Sequence, residues 1–179
     1  MRVISGSARG RKLKEPVGFD IRPTSDMVKE SIFNIIQFDV EGRRVLDLFA
    51  GTGQLGIEAL SRGAKCAVFV DSAPNAVKLI RENAAICGFS SLASVYARDV
   101  ISYLKNDEKF DIIFADPPYG TQLAAKTLGR IIEFDKLTTN GIIICETKIG
   151  DALPDVPAPY SMQKEYRYGS VKITRFSRS

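Results

Sequence analysis

Histidine is missing from this 179-residue sequence. Without an imidazole there is no Ser-His-Asp triad, and most transition-metal sites are excluded as well. Chemistry must then run on carboxylates, backbone groups, Tyr, Lys or a bound cofactor. Cysteine is scarce: Cys66, Cys87 and Cys145 are odd in number, widely spaced and free of any CxxC pair. That pattern speaks against a zinc site or a disulfide framework and for buried, apolar thiols. No metal is expected. No apolar run is long enough to span a bilayer. Met1-Arg2-Val3-Ile4-Ser5-Gly6 lacks the apolar core of a secretory signal, so a cytoplasmic location without a membrane partner is expected. Internal repeats, low-complexity segments and long linkers are missing too.

What is present suits one globular domain spanning residues 1–179, with residues 1–20 as a basic arm. The net charge is +4, unevenly spread: Arg2, Arg9, Arg11, Lys12 and Lys14 all precede the first acid, Glu15. Clustered basic charge with interleaved glycine suits a phosphate backbone, although a solvated tail has the same composition. Apolar spacing at Val28, Ile32, Ile35 and Ile36 predicts a helix that follows the cap signal Thr24-Ser25-Asp26 and ends near Phe38. Strands are predicted at residues 44–50, 66–70, 93–97, 110–115 and 141–146, and a hairpin about Gly169 pairs residues 162–168 with 171–176. Helices fall between the first five, one of them capped by Ser72 with Pro74 in its first turn. The alternation implies an α/β, Rossmann-like doubly wound sheet, mostly parallel and seven-stranded, with a terminal antiparallel hairpin. Ligands in such sheets bind beyond the carboxyl ends of the strands.

Three loops start at those ends. Gly51-Thr52-Gly53-Gln54-Leu55-Gly56 matches G-x-G-x-x-G, and Asp71 lies where an acid would meet a ribose diol. A dinucleotide and adenosylmethionine are both compatible with that pair. Asp47, at the end of the preceding strand, favours a ligand carrying an ammonium group, because a pyrophosphate would be repelled. Asp99, after the third strand, could accept a bond from an adenine amino group, or serve only as a solvated loop residue.

Asp116-Pro117-Pro118-Tyr119 ends the apolar fourth strand. An exocyclic amine on a nucleobase is a poor nucleophile, because its lone pair is delocalised into the ring. Two acceptors on its two N–H bonds favour a tetrahedral nitrogen with a localised pair. The Asp116 carboxylate supplies one, and the Pro117 carbonyl, held by Pro118, the other. With a sulfonium methyl as electrophile, positioning and electrostatics carry most of the catalysis and no strong base is needed. Tyr119 can stack on the base, which would first be flipped out of any helix.

These residues resemble the RsmD-type family of small-subunit ribosomal RNA guanine-N2 methyltransferases. The resemblance rests on Arg9-Gly10-Arg11, Arg22-Pro23-Thr24 with Asp26 and Phe33-Asn34, and Asp47 through Gly53 with Gly56. It continues through Glu58-Ala59-Leu60-Ser61-Arg62-Gly63-Ala64 to Asp116-Pro117-Pro118-Tyr119. It implies S-adenosyl-L-methionine as methyl donor and a guanine N2 of 16S ribosomal RNA as target, presented on an assembled or assembling 30S particle. Thr24, Asp47, Gly51 and Gly53 would line the methionine end, Asp71 the ribose and Asp99 the adenine, with Phe49, Ser72 and Val100 beside them. Arg9, Arg11, Lys12 and Arg22 would meet the RNA, and the enzyme would act as a monomer. Two departures stand out: Asp71-Ser72-Ala73 keeps only the first acid of an acid-x-acid pattern, and Gln54 stands where a small residue is commoner. Rival readings are amino-methylation of adenine N6 in DNA or RNA, an NAD-dependent oxidoreductase, and a non-catalytic RNA-binding domain.

Overall fold

The computed structural model describes residues 1–16 and 26–179. Seven strands form a single sheet in the order β3-β2-β1-β4-β5-β7-β6. They are β1 (Arg44–Leu48), β2 (Cys66–Asp71), β3 (Ala93–Ala97), β4 (Phe110–Ala115), β5 (Leu137–Lys148), β6 (Tyr160–Tyr168) and β7 (Val171–Arg178). The first five pair in parallel, while β7 runs antiparallel to β5 and to β6. Strand order reverses between β1 and β4, which is where such sheets open a crevice for ligands.

Two apolar clusters cover the two faces. Val45, Phe69, Phe114 and Ile144 belong to one, beneath the N-terminal arm, α1 (Asp26–Ile35), α2 (Gln54–Ser61) and α3 (Pro74–Ile86). Leu46, Val70, Ala115 and Cys145 belong to the other, beneath α4 (Val100–Tyr103) and α5 (Leu123–Glu133). Alternate residues of one strand therefore feed opposite layers, as the period of two requires. Burial on both sides explains why β2 and β4 carry continuous apolar runs at residues 67–70 and 112–115.

Several predicted boundaries shift for local reasons. β1 stops at Leu48, because Phe49 turns left-handed at φ 58°. Ser72 is not a helix cap: Ala73 occupies that position, Pro74 opens α3, and the Ala73 N–H donates to Asp71 Oδ1 at 2.9 Å. β5 starts at Leu137, and a register irregularity between Phe110 and Ile112 absorbs the extra length before Gly141. The regular part of α1 ends at Ile35, and Phe38 lies beyond it, exposed. Arg22 and Thr24 lie outside the described residues.

The arm is a small hairpin closed by an Arg2–Lys12 bridge. Buried polar side chains fasten it. Glu58 accepts the Ile4 and Ser5 N–H groups at 2.8 and 3.0 Å, and Ser61 Oγ accepts the Ala8 N–H at 2.9 Å. Asn83 bonds both the N–H and the carbonyl of Lys14.

Candidate active site

Period-two alternation brings four acids to one face of one edge. Asp47, Asp71, Asp116 and Glu146 each stand two residues beyond a member of the same core cluster: Val45, Phe69, Phe114 and Ile144. The register sets their depth. Asp47 pairs with Phe69 and Phe114, and Phe114 with Ile144. The other three acids are therefore one side-chain layer nearer the rim, about 7 Å further along the strands. Asp116 follows Ala115, whose partner is Cys145, so Asp116 and Glu146 are neighbours across about 4.8 Å.

The glycine loop is stitched from below and from the side. Asp47 is only 2% exposed, and its Oδ2 accepts the Gly56 N–H at 2.9 Å. Burial pushes its pKa up to about 8; the Gly56 bond works against that rise, and the Asp71 charge adds to it. Asp71 Oδ2 accepts the Gly51 N–H at 2.9 Å, and its other oxygen holds Ala73. Both of its oxygens thus have a backbone donor, and each keeps a second lone pair for a ribose hydroxyl. Asn83 donates to Thr52 O at 3.0 Å, so a single amide ties the loop to the arm. A Cβ at Gly56 would meet the Phe69 ring at 2.3 Å, which makes this glycine a packing requirement of α2 on β2. At Gly51 the left-handed φ of 55° is the constraint, and a Cβ would meet only Phe49 O, at 3.9 Å. The loop is open there.

Asp99 caps the short α4, its Oδ1 accepting Ser102 N–H at 2.9 Å, and is exposed at the end of β3. Val100 points into the second core cluster, Ser72 is exposed and Phe49 half-buried. At the other end, Pro117 is buried, Pro118 exposed, and Asp116 and Tyr119 half-buried. Thr121 Oγ1 donates to Pro118 O at 2.8 Å and accepts the Leu123 N–H at 3.3 Å, which sets the exit of the segment into α5. The Tyr119 hydroxyl donates to Glu146 Oε1. Thus the edge brings together Asp47, Gly51, Gly53, Asp71, Asp99 and Asp116 to Tyr119. Of the basic residues, Arg9 stands apart. The arm's ends meet Thr52 and Asn83, but its tip sits at Ser61, the far end of α2, about 12 Å from the loop.

Sequence reasoning missed Glu146 and Asn83. Each had a signal: Glu146 ends an apolar strand as Asp71 and Asp116 do, and Asn83 interrupts the apolar stripe of α3.

Sheet order and this edge define the class I methyltransferase architecture. At 18% identity and TM-score 0.68, an RNA methyltransferase from Salinibacter ruber, crystallised with S-adenosylhomocysteine, shares that fold over 88% of this chain and 94% of its own. The family follows at closer range. The model of the family described as "Conserved hypothetical protein 95" matches residues 1–177, and the chain belongs to that RsmD-type family. Ribosomal RNA small subunit methyltransferase D of Escherichia coli (strain K12) is 32% identical, over 99% of this chain and 90% of its own. YlbH of Bacillus subtilis (strain 168) is 40% identical, with 99% of both chains covered. The solved structure of yhhF from Escherichia coli superposes with TM-score 0.90 at 32% identity, covering 100% of this chain and 98% of that one.

Proposed function

We propose that this protein transfers the methyl group of adenosylmethionine to the exocyclic N2 amine of one guanine in small-subunit ribosomal RNA, presented by an assembled or assembling subunit. One observation carries the reading: β4 delivers Asp116 to Tyr119 onto the edge and face that hold the glycine loop, with Tyr119 bonded to Glu146. The RNA substrate is drawn from the names of the relatives, and guanine N2 from the whole-chain resemblance.

The residues of the edge fit this donor. The loop is open at Gly51, Asp71 offers its carboxylate to a ribose diol, and the buried Asp47, its pKa pushed up to about 8, would ionise against the donor's ammonium group. A pyrophosphate brings no cation to offset ionisation of the buried Asp47, so this position favours the ligand with the ammonium group. Asp47, Gly51 and Gly53 would hold the methionine end, Asp71 the ribose and Asp99 the adenine. When bound, adenosylmethionine supplies a methyl group on a positive sulfur, an electrophile that needs no strong base opposite it.

The chain's own residues then act by placement. The Asp116 carboxylate and the Pro117 carbonyl accept the two N–H bonds of the amine and turn its lone pair toward the methyl group. Tyr119 stacks on the base, and Glu146 keeps the ring at its station through the hydroxyl. The proton that nitrogen sheds leaves along its hydrogen bond to Asp116 Oδ, and from there to water.

The test is methyl transfer. Purified protein with labelled donor is expected to modify small subunits taken from cells lacking this gene. Transfer to duplex DNA instead, with none to the subunits, contradicts the substrate assignment. Neutral substitutions at Arg11 and Lys12, nearer the base of the hairpin, are expected to flatten the salt dependence of RNA binding more than Arg9→Ala at its tip.

A further inference from the structure

We propose that the tip of the β6–β7 hairpin is a second docking surface, which holds the RNA strand flanking the target base. This rests on the reading that the substrate is RNA. Register places the tip on the catalytic edge. Glu146 pairs with Ile173, and Ile173 with Tyr166; one step nearer the rim, Lys148 pairs with Val171, and Val171 with Tyr168. Tyr166 and Tyr168 share the face of Ile173, and both pack, half-buried, against the same cluster as Tyr119. A row of tyrosines with ring surface left to solvent thus continues outward from the catalytic segment. From β4 to β6 is three strand spacings, about 14 Å, so a strand whose target base enters at Asp116 would lie across it.

Charge fits the same occupant. Lys164 is exposed on that face, with Nζ 5.0 Å from the Tyr166 ring centroid. On the opposite face Arg167 is exposed and stands directly across from Lys172, a like-charged cross-strand pair that costs stability. Glu165 offsets part of this through its 3.2 Å pair with Lys172. Lower down, Arg175 and Arg178 are committed to Asp39 and Asp135. Lys148 and Arg167 reach solvent near the rim, and Lys164, level with Arg175, extends toward it along the Tyr166 ring. Aromatic faces interleaved with cations on one edge are what a single-stranded polyanion binds: rings stack its bases while ammonium and guanidinium groups meet its phosphates.

The experiment compares wild type with the Lys164→Ala/Arg167→Ala double variant and with Tyr168→Leu, which keeps apolar packing but removes the stacking face. Binding to small subunits across a salt series, KM and kcat for methylation, and calorimetric affinity for adenosylmethionine are measured on each. The double variant is expected to bind roughly tenfold more weakly, with a salt slope shallower by about one to two. Tyr168→Leu should lose about tenfold with its slope unchanged. In both, KM should rise while kcat and donor affinity stay at wild-type values, a split that general damage to the fold would not produce. Wild-type binding and KM in both variants overturn the surface. A wild-type enzyme that neither binds nor methylates subunits overturns the RNA reading itself, a different failure with a different signature.

Discussion

At the β1–β2 end of the edge the acids are spent on backbone: Asp47 on Gly56, and Asp71 on Gly51 and Ala73. At the β4–β5 end an acid is spent on a side chain, Glu146 on the Tyr119 hydroxyl, and the segment above it is half open to solvent. Backbone donors cannot rotate away, so the first end is preformed. The Tyr119 ring, held through its hydroxyl and by packing on the core cluster, can still turn about its side-chain torsions. In the proposed function the first end meets the same small donor at every turnover, and the second receives a base carried by a large, variable particle. Rigidity and adjustability are therefore divided between two halves of one edge.

The comparison can be broken at either half. Asp116→Ala should have the largest effect, lowering single-turnover methyl transfer by about a hundredfold to a thousandfold while calorimetric affinity for adenosylmethionine stays unchanged. An equal loss of donor affinity would erase the division. Asp71→Ala should do the reverse, weakening donor binding by about tenfold to a hundredfold through two lost charge-assisted bonds, with a smaller effect on the rate at saturating donor.

Glu146→Ala should raise KM for the RNA and lower the rate by roughly tenfold, the worth of one hydrogen bond to a charged acceptor. Glu146→Gln, which still offers the tyrosine an oxygen, should recover most of that loss. If Gln is no better than Ala, charge rather than positioning is the role of this residue.

The Asp47 prediction is subtler. Its folded pKa of about 8 lies above the ordinary carboxylate value of 3.8, chiefly because burial disfavours the charged form. The folded state then binds more protons than the unfolded state between those values, so this group's stabilising contribution is complete below the lower pKa and declines as pH rises through about 8. A cationic ligand end favours the ionised form. Affinity for adenosylmethionine should therefore strengthen up to about tenfold per unit as pH rises toward about 8, and level off above it. Asp47→Asn should show a flat profile; a flat profile in wild type would contradict the assignment of Asp47 to the ammonium group. The smallest effect on chemistry is expected at Asn83. Its replacement by Ala leaves Thr52 O and both backbone groups of Lys14 without their partner, at a cost of about 1–3 kcal/mol in thermal or denaturant unfolding.

How much of this was legible in the sequence follows from the period of a strand. Apolar strands carrying an acid at or near the end announced Asp47, Asp71 and Asp116, and the sheet puts all three on one face, Asp47 one layer below the other two. The same rule would have found Glu146, hidden because nothing distinctive follows it. Tertiary bonding was not legible. Ser72 is a good cap by residue type, yet the helix starts later, where the Asp71 carboxylate reaches the Ala73 N–H. Phe49 reads as strand, yet turns left-handed to open the glycine loop. Asn83 looks like a polar flaw in an apolar stripe until the arm and the loop are seen to converge on it.

The most direct test of the proposed function is the identity of the methylated nucleoside. Small-subunit RNA from cells lacking the gene would be treated with the protein and adenosylmethionine, digested to nucleosides and analysed by mass spectrometry. The account predicts new N2-methylguanosine at one position, absent when Asp116→Ala protein is used. N6-methyladenosine in its place, or no new methylated guanosine at all, would contradict it.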